Sequence, residues 1–192
     1  EVLNTLPYKS KKVILVTCHR RENYGEPMKN IMLALRQIAE SHEDVELMYP
    51  VHLSPVVREA VQEYLAGAPR VHLIDPLPAD EMHNLMGRCY MVLTDSGGLQ
   101  EEAPALGKPV LVLRRETERP EAVAAGTVKI AGVDRDVIVS MASELIKSNN
   151  AYEAMAHAVN PYGDGQACRR IAETILWRFN RRAQRPEDYQ GR

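Results

Sequence analysis

Cysteine is scarce and unclustered in this sequence: Cys18, Cys89 and Cys168 are its three thiols, spaced unlike any pair typical of metal binding. A disulfide scaffold is thereby excluded, and the pattern is that of reduced thiols in a cytosolic setting. An excess of one charge is missing too. With 24 basic and 26 acidic residues the formal net charge is -2, so no bulk attraction draws the chain to a nucleic-acid backbone, although a local basic pocket for a small phosphate ligand stays open. No apolar run reaches the length of a membrane span, and Glu1–Val2–Leu3–Asn4 does not begin a signal peptide. An initiating Met is also lacking, which fits a piece of something longer or a trimmed product. The G-x-G-x-x-G and G-K-[ST] contexts that mark phosphate loops are absent.

What is present is the composition of an ordinary globular protein. The 192 residues are 45% apolar and 26% charged, with 11 glycines and 12 prolines, enough for one domain near the upper end of the usual size range. Short β-branched and apolar runs alternate with amphipathic segments. Val13–Thr17, Val45–Tyr49, Val71–Ile74, Tyr90–Thr94, Val110–Leu113 and Thr127–Ile130 read as strands. Helices are expected over 27–41, 54–66 with Ser54 as cap, 78–87, 99–106, 120–125, 134–147, 151–157 and 165–179. Strands that are apolar on both faces and separated by helices imply a Rossmann-like, doubly wound parallel α/β sheet with helices on both faces. Residues 1–180 make up that domain, and the polar stretch 181–192 is a tail, loosely held or packed on a missing partner.

Right-handed crossovers bring every strand-to-helix loop to one edge of such a sheet. Three polar loops then share a rim: His19–Arg20–Arg21–Glu22–Asn23, the proline-bracketed loop around His52, and Asp95–Ser96–Gly97–Gly98. The last reads as a turn in which glycines allow unusual backbone angles and close approach, followed by a helix whose free N–H groups suit a phosphate. Glu101 and Glu102 then fall in the first helical turn, where they either complement the helix dipole or offer one carboxylate to ribose hydroxyls. His19 is either structural or, with Arg20 and Arg21, part of a diphosphate or sugar site. His52 is a helix cap or a second ligand-facing histidine. The charged loop from Arg114 to Glu121 carries internal ion pairs, and Arg119 before Pro120 is its best candidate to reach phosphate. In Asn160–Pro161–Tyr162–Gly163–Asp164–Gly165, Asp164 can cap the final helix. Trp177 and Phe179 are packed or face an absent neighbour, while His42, His72, His83 and His157 read as surface or structural residues. No ligand spacing for zinc accompanies His19 and His52, so no metal is assigned.

Taken in order, Thr17–Cys18–His19–Arg20–Arg21–Glu22–Asn23, Pro50–Val51–His52, TDSGGLQEEAPALGKP at 94–109, TERPEAVAAGT at 117–127 and Asn160–Gly165 resemble the carboxyl-terminal domain of the non-hydrolysing UDP-N-acetylglucosamine 2-epimerases, enzymes of GT-B architecture. Each motif alone is of moderate specificity; the ordered set over nearly the whole chain is highly specific.

The resemblance implies a cytoplasmic two-domain enzyme, a homodimer at full length. It holds UDP-sugar between two Rossmann-like halves and interconverts UDP-N-acetylglucosamine and UDP-N-acetylmannosamine without cofactor or metal, nucleic acid or membrane. By the same resemblance His19 matches the active-site histidine, Ser96, Gly97 and Gly98 the diphosphate-binding turn, Glu102 the ribose-binding carboxylate and Arg119 a phosphate-site arginine. Arg20 and His52 match positions for a second, activating UDP-N-acetylglucosamine, although Leu53–Ser54–Pro55–Val56–Val57 departs from the family's usual loop there. The family's acidic catalytic residues lie mainly in an amino-terminal domain that this chain lacks. A hydrolysing epimerase, a glycosyltransferase of the same architecture and a non-catalytic nucleotide-sugar-binding module are the alternatives.

Overall fold

A computed structural model describes residues 2–189. Its strands are β1 (Lys12–Thr17), β2 (Val45–Pro50), β3 (Val71–Ile74), β4 (Met91–Thr94), β5 (Val110–Val112) and β6 (Val128–Ile130). Its helices are α1 (Val2–Thr5), α2 (Glu26–Ser41), α3 (Pro55–Leu65), α4 (Ala79–Arg88), α5 (Gly97–Ala105), α6 (Pro120–Ala125), α7 (Arg135–Lys147), α8 (Asn149–Ala156) and α9 (Ala167–Arg178). The strands form one parallel sheet in the order β3-β2-β1-β4-β5-β6.

The period-two geometry of a strand divides β1 between two cores. Ile14 and Val16 join a cluster built from α2, α3 and α7, whereas Val13 and Leu15 join a second one with Leu85 and Met86 of α4, Ala103 of α5 and Ala122 of α6. Each such side chain contributes about 1.5–3 kcal/mol relative to an exposed position. Strands sandwiched in this way are largely apolar, with Glu46, His72 and Lys129 the polar residues inside β2, β3 and β6.

Four elements differ from the sequence-based expectation. The glycines of Asp95–Ser96–Gly97–Gly98 are not a turn: α5 begins at Gly97, and neither Gly97 nor Gly98 has a positive φ. Glu101 and Glu102 consequently lie beyond the first turn, which contains no acidic residue, so the helix dipole does not account for them. Ser54 occupies the N-cap position of α3 without a side-chain capping bond; its hydroxyl meets the Tyr24 hydroxyl at 3.1 Å instead. The short helix α1 and a 3-10 turn at Arg21–Asn23 were not anticipated.

Residues 181–189 lie back against α9 and the turn before it, with Pro186 buried, Arg182 paired with Glu173 and the Tyr189 hydroxyl donating to the Asn160 carbonyl at 2.9 Å. The rest of the tail expectation, 190–192, lies outside the described residues, as does Glu1. Helix α9 has no buried residue, and Ile171, Ile175, Leu176 and Phe179 are exposed on and just after it. Among the described residues no helix is long and apolar enough to cross a membrane.

Candidate nucleotide site at the crossover of the sheet

The strand order reverses between β1 and β4, and ligands of open α/β sheets bind outside the carboxyl ends of the strands at such a point. The two strands end in register at Thr17 and Thr94, whose buried hydroxyls meet at 2.6 Å. The next residues of each strand build the rim. Asp95 is completely buried, and its Oδ2 accepts the backbone N–H of His19 at 2.8 Å, that of Arg20 at 2.7 Å and the Asn23 side-chain amide at 3.1 Å. One carboxylate thus ties the loop after β1 to the end of β4. A buried carboxylate is tolerated only with such partners.

Helix α5 opens onto this rim, and its first N–H groups have no intrahelical acceptor. A Cβ placed on Gly97 would stand 3.8 Å from Nη2 of Arg20 and 3.8 Å from Nη2 of Arg119. Two guanidinium groups therefore converge on a helix start at a residue with no side chain, a combination suited to a multiply charged anion. Arg20 donates from Nε to the Asp95 carbonyl at 3.3 Å and forms no ion pair among the described residues. Arg119 is bonded through Nε to Glu101, which holds the guanidinium even more firmly cationic.

The loop that carries Arg119 is fastened by a buried amide. Gln100 donates from Nε2 to the Ser96 carbonyl at 3.2 Å and accepts from the Thr117 hydroxyl, and the same hydroxyl oxygen accepts the Arg119 backbone N–H at 3.1 Å. Arg114, buried, bonds Glu22 on one side and Glu118 on the other, locking the His19 loop to the Arg119 loop. The ion pairs expected there are present, and Arg114 is structural.

His19 is half-buried, with Nδ1 3.5 Å from Asp95 Oδ1. Its ring stacks on that of His52, with centroids 5.1 Å apart and planes at 14°. Burial lowers the His19 pKa; Asp95 opposes this, and His52 and Arg20 reinforce it. His52 Nδ1 accepts the Ser54 backbone N–H at 3.0 Å, which organises its own loop rather than capping a helix.

Glu102 is half-exposed on the next turn of α5, and His83 of α4 meets its Oε2 through Nε2 at 3.0 Å. His83, read as a surface or structural residue, is exposed and has Glu102 as its partner. A Cβ on Gly98 would stand 3.4 Å from Glu102 Oε1. The structure thus gathers His19, Arg20, His52, Ser96, Gly97 and Arg119 around the crossover, with Gly98 and Glu102 on the α4 side. Sequence reasoning named Asp95, Gln100 and Asn23 without giving them roles. A carboxylate directly after a buried strand, ahead of two glycines, was the available signal.

Asp164 precedes the N-cap residue Gln166 rather than occupying the cap. It accepts the Gln166 N–H at 3.1 Å and pairs with Arg170 through two contacts of 2.7 Å. The remaining histidines read as structural do have partners: His42 meets Ser143 at 2.9 Å, His72 meets Glu46 at 2.8 Å and His157 meets Glu153 at 2.7 Å. Among the described residues no group of three or more His, Cys, Asp or Glu side chains is placed to hold a metal.

The family model described as UDP-N-acetylglucosamine 2-epimerase matches residues 1–176. The Bacillus subtilis UDP-N-acetylglucosamine 2-epimerase is 52% identical over 181 residues, 94% of this chain and 48% of that protein. A Staphylococcus aureus MnaA structure with UDP superposes with a TM-score of 0.88 at 47% identity, covering 95% of this chain and 50% of that one. The Neisseria meningitidis UDP-GlcNAc 2-epimerase bound to UDP-GlcNAc gives a TM-score of 0.82 at 49% identity, covering 87% and 45%. The chain spans about half the length of the relatives it matches. With its ordered motifs, its doubly wound sheet and this match, the chain belongs to the UDP-N-acetylglucosamine 2-epimerase family, corresponding to the carboxyl-terminal half of its non-hydrolysing members.

Proposed function

We propose that this chain is the UDP-binding half of a cytoplasmic, homodimeric UDP-N-acetylglucosamine 2-epimerase, which interconverts UDP-N-acetylglucosamine and UDP-N-acetylmannosamine. Residues 1–180 form the carboxyl-terminal nucleotide domain, 181–192 a tail, and an amino-terminal domain outside this sequence completes the cleft. The exposed apolar side chains of α9 support a neighbour of that kind. The observation that carries the reading is the convergence of Arg20 and Arg119 on Gly97 at the start of α5.

In the reaction a base removes the proton at C2 and the bond from C1 to the diphosphate oxygen breaks. The products are 2-acetamidoglucal and UDP. UDP adds back after C2 is protonated on its opposite face. Negative charge accumulates on the departing diphosphate, where Arg20, Arg119, the Ser96 hydroxyl and the N–H groups of Gly97 and Gly98 offer preorganised positive ends. Glu102 accepts the ribose hydroxyls, exchanging its bond to His83 for them. His19 stands beside the leaving group; its lowered pKa keeps it neutral near pH 7 and able to exchange a proton. The family's acidic groups that act at C2 belong to the other domain. Arg20 and His52 border the place of a second UDP-N-acetylglucosamine.

Calorimetric titration with UDP tests this site. The parent binds, and Glu102→Gln and Ser96→Ala each weaken binding by about 1.5–3 kcal/mol. Tight binding indifferent to both changes would put the site elsewhere.

A further inference from the structure

Asp95 does more than staple two loops together. Its Oδ2 is saturated by the three N–H donors of His19, Arg20 and Asn23, while its Oδ1 is buried without any hydrogen-bond partner. An unpartnered buried carboxylate oxygen is costly, and a loop staple does not require one. Two groups lie against the Asp95 carboxylate: Nδ1 of His19, 3.5 Å from Oδ1, and the buried Cys18 thiol, which burial and Asp95 together keep protonated. The second ring nitrogen, Nε2, has no protein partner among the described residues.

A neutral imidazole carries one N–H and one lone pair, and the bond made by one nitrogen decides the state of the other. With the lone pair on Nδ1, two acceptors would face each other in a buried place. With the proton on Nδ1, the contact is attractive, and a small rotation of the half-exposed ring closes it to hydrogen-bond length. The surrounding groups favour a neutral ring without selecting its tautomer. His52 must keep a lone pair on Nδ1 to accept the Ser54 N–H, so it stacks on His19 as a ring with its proton on Nε2. Arg20, on the same loop, disfavours a second positive charge, and the Tyr49 hydroxyl is occupied by the Cys18 carbonyl at 2.7 Å. Among the described residues Asp95 is the one negative group acting on the ring.

We infer that Asp95 is the positioning residue of His19: through Oδ1 it holds the proton on Nδ1 and thereby presents Nε2 as a proton-accepting nitrogen to the nucleotide site. This rests on the reading of His19 as the active-site histidine. Asp95 itself touches no reacting atom.

Asp95→Asn separates the two roles of the carboxylate. The Asn oxygen still accepts the backbone N–H groups of His19 and Arg20, but the amide now points N–H at Nδ1, which must then carry the lone pair. Long-range proton–nitrogen NMR spectra of the 15N-labelled chain report the tautomer, with His19 assigned by its loss in His19→Gln. The parent shows His19 mainly with the proton on Nδ1. Asp95→Asn, with its amide spectrum otherwise preserved, shows it mainly on Nε2, and the His19 titration midpoint falls once the opposing charge is gone. Parent protein with the proton on Nε2 overturns the inference, whether or not the variant folds. So does a folded Asp95→Asn in which the tautomer does not change. A parent that binds no UDP yet shows the exchange of tautomers defeats the nucleotide reading and upholds the hold of Asp95 on His19.

Discussion

The side-chain amide oxygen of Gln100 accepts the hydroxyl proton of Thr117, joining helix α5 to the loop that delivers Arg119. Gln100 is fully buried, and the Thr117 oxygen in turn accepts the Arg119 backbone N–H at 3.1 Å. The position of one phosphate-site candidate thus depends on a hydrogen bond between two uncharged residues. Thr117→Val leaves the amide oxygen without a donor and destabilises the fold by about 1–3 kcal/mol, read from urea unfolding. UDP affinity falls with it. Thr117→Ser restores the hydroxyl and most of both properties. A loss in Thr117→Ser with none in Thr117→Val would show that the methyl group matters and the bond does not.

Gly97→Ala separates folding from binding. The backbone there is ordinary helix, and the new methyl would meet only the ends of Arg20 and Arg119 at 3.8 Å. Stability by thermal or urea unfolding changes by no more than about 1 kcal/mol. The methyl occupies the place assigned to the anion, so UDP binding weakens by about tenfold or more, ~1.4 kcal/mol. Unchanged affinity would move the diphosphate away from α5.

The thiols differ in reactivity by burial. Cys18 and Cys89 are buried and Cys168 is exposed; burial pushes the Cys18 thiol well up and that of Cys89 to about 12. Thiolate is the reactive form. A disulfide reagent at pH 8 therefore titrates one thiol in the native chain and three in guanidinium chloride. Rapid labelling of all three in the native state would contradict the packing described.

The same burial sets an alkaline limit. Cys89 ionises near its ordinary value in the unfolded chain but only at about 12 in the fold. The folded state therefore retains a proton that the unfolded state has lost. The associated stability is complete below about pH 9 and disappears as pH rises through about 12. Unfolding curves between these values show a decline that Cys89→Ala makes shallower. A slope unaffected by that change would exclude the thiol as a source.

Solvent-isotope exchange at C2 of UDP-N-acetylglucosamine does not occur on the isolated chain above the uncatalysed background. In the proposed site Arg20, Arg119 and His19 are assigned to the leaving group, and none to the proton at C2. Measurable epimerisation by these 192 residues would refute the need for a second domain.

The layered parallel sheet and its helices were legible in the sequence, because a strand covered on both faces is mostly apolar and a helix lying on a sheet repeats every 3.6 residues. The sequence also placed His19, His52 and Ser96 on one rim, since right-handed crossovers leave little choice. Only the tertiary structure decided which rim residues touch. Sheet order put the end of β1 beside the end of β4, buried Asp95 between them and let it gather the His19 loop. Packing of α4 against α5 brought His83 to Glu102, and the start of α5 at Gly97 displaced both glutamates from the first turn. Hydrophobic periodicity is a local property, whereas the partner of a buried polar atom is set by chain segments dozens of residues away.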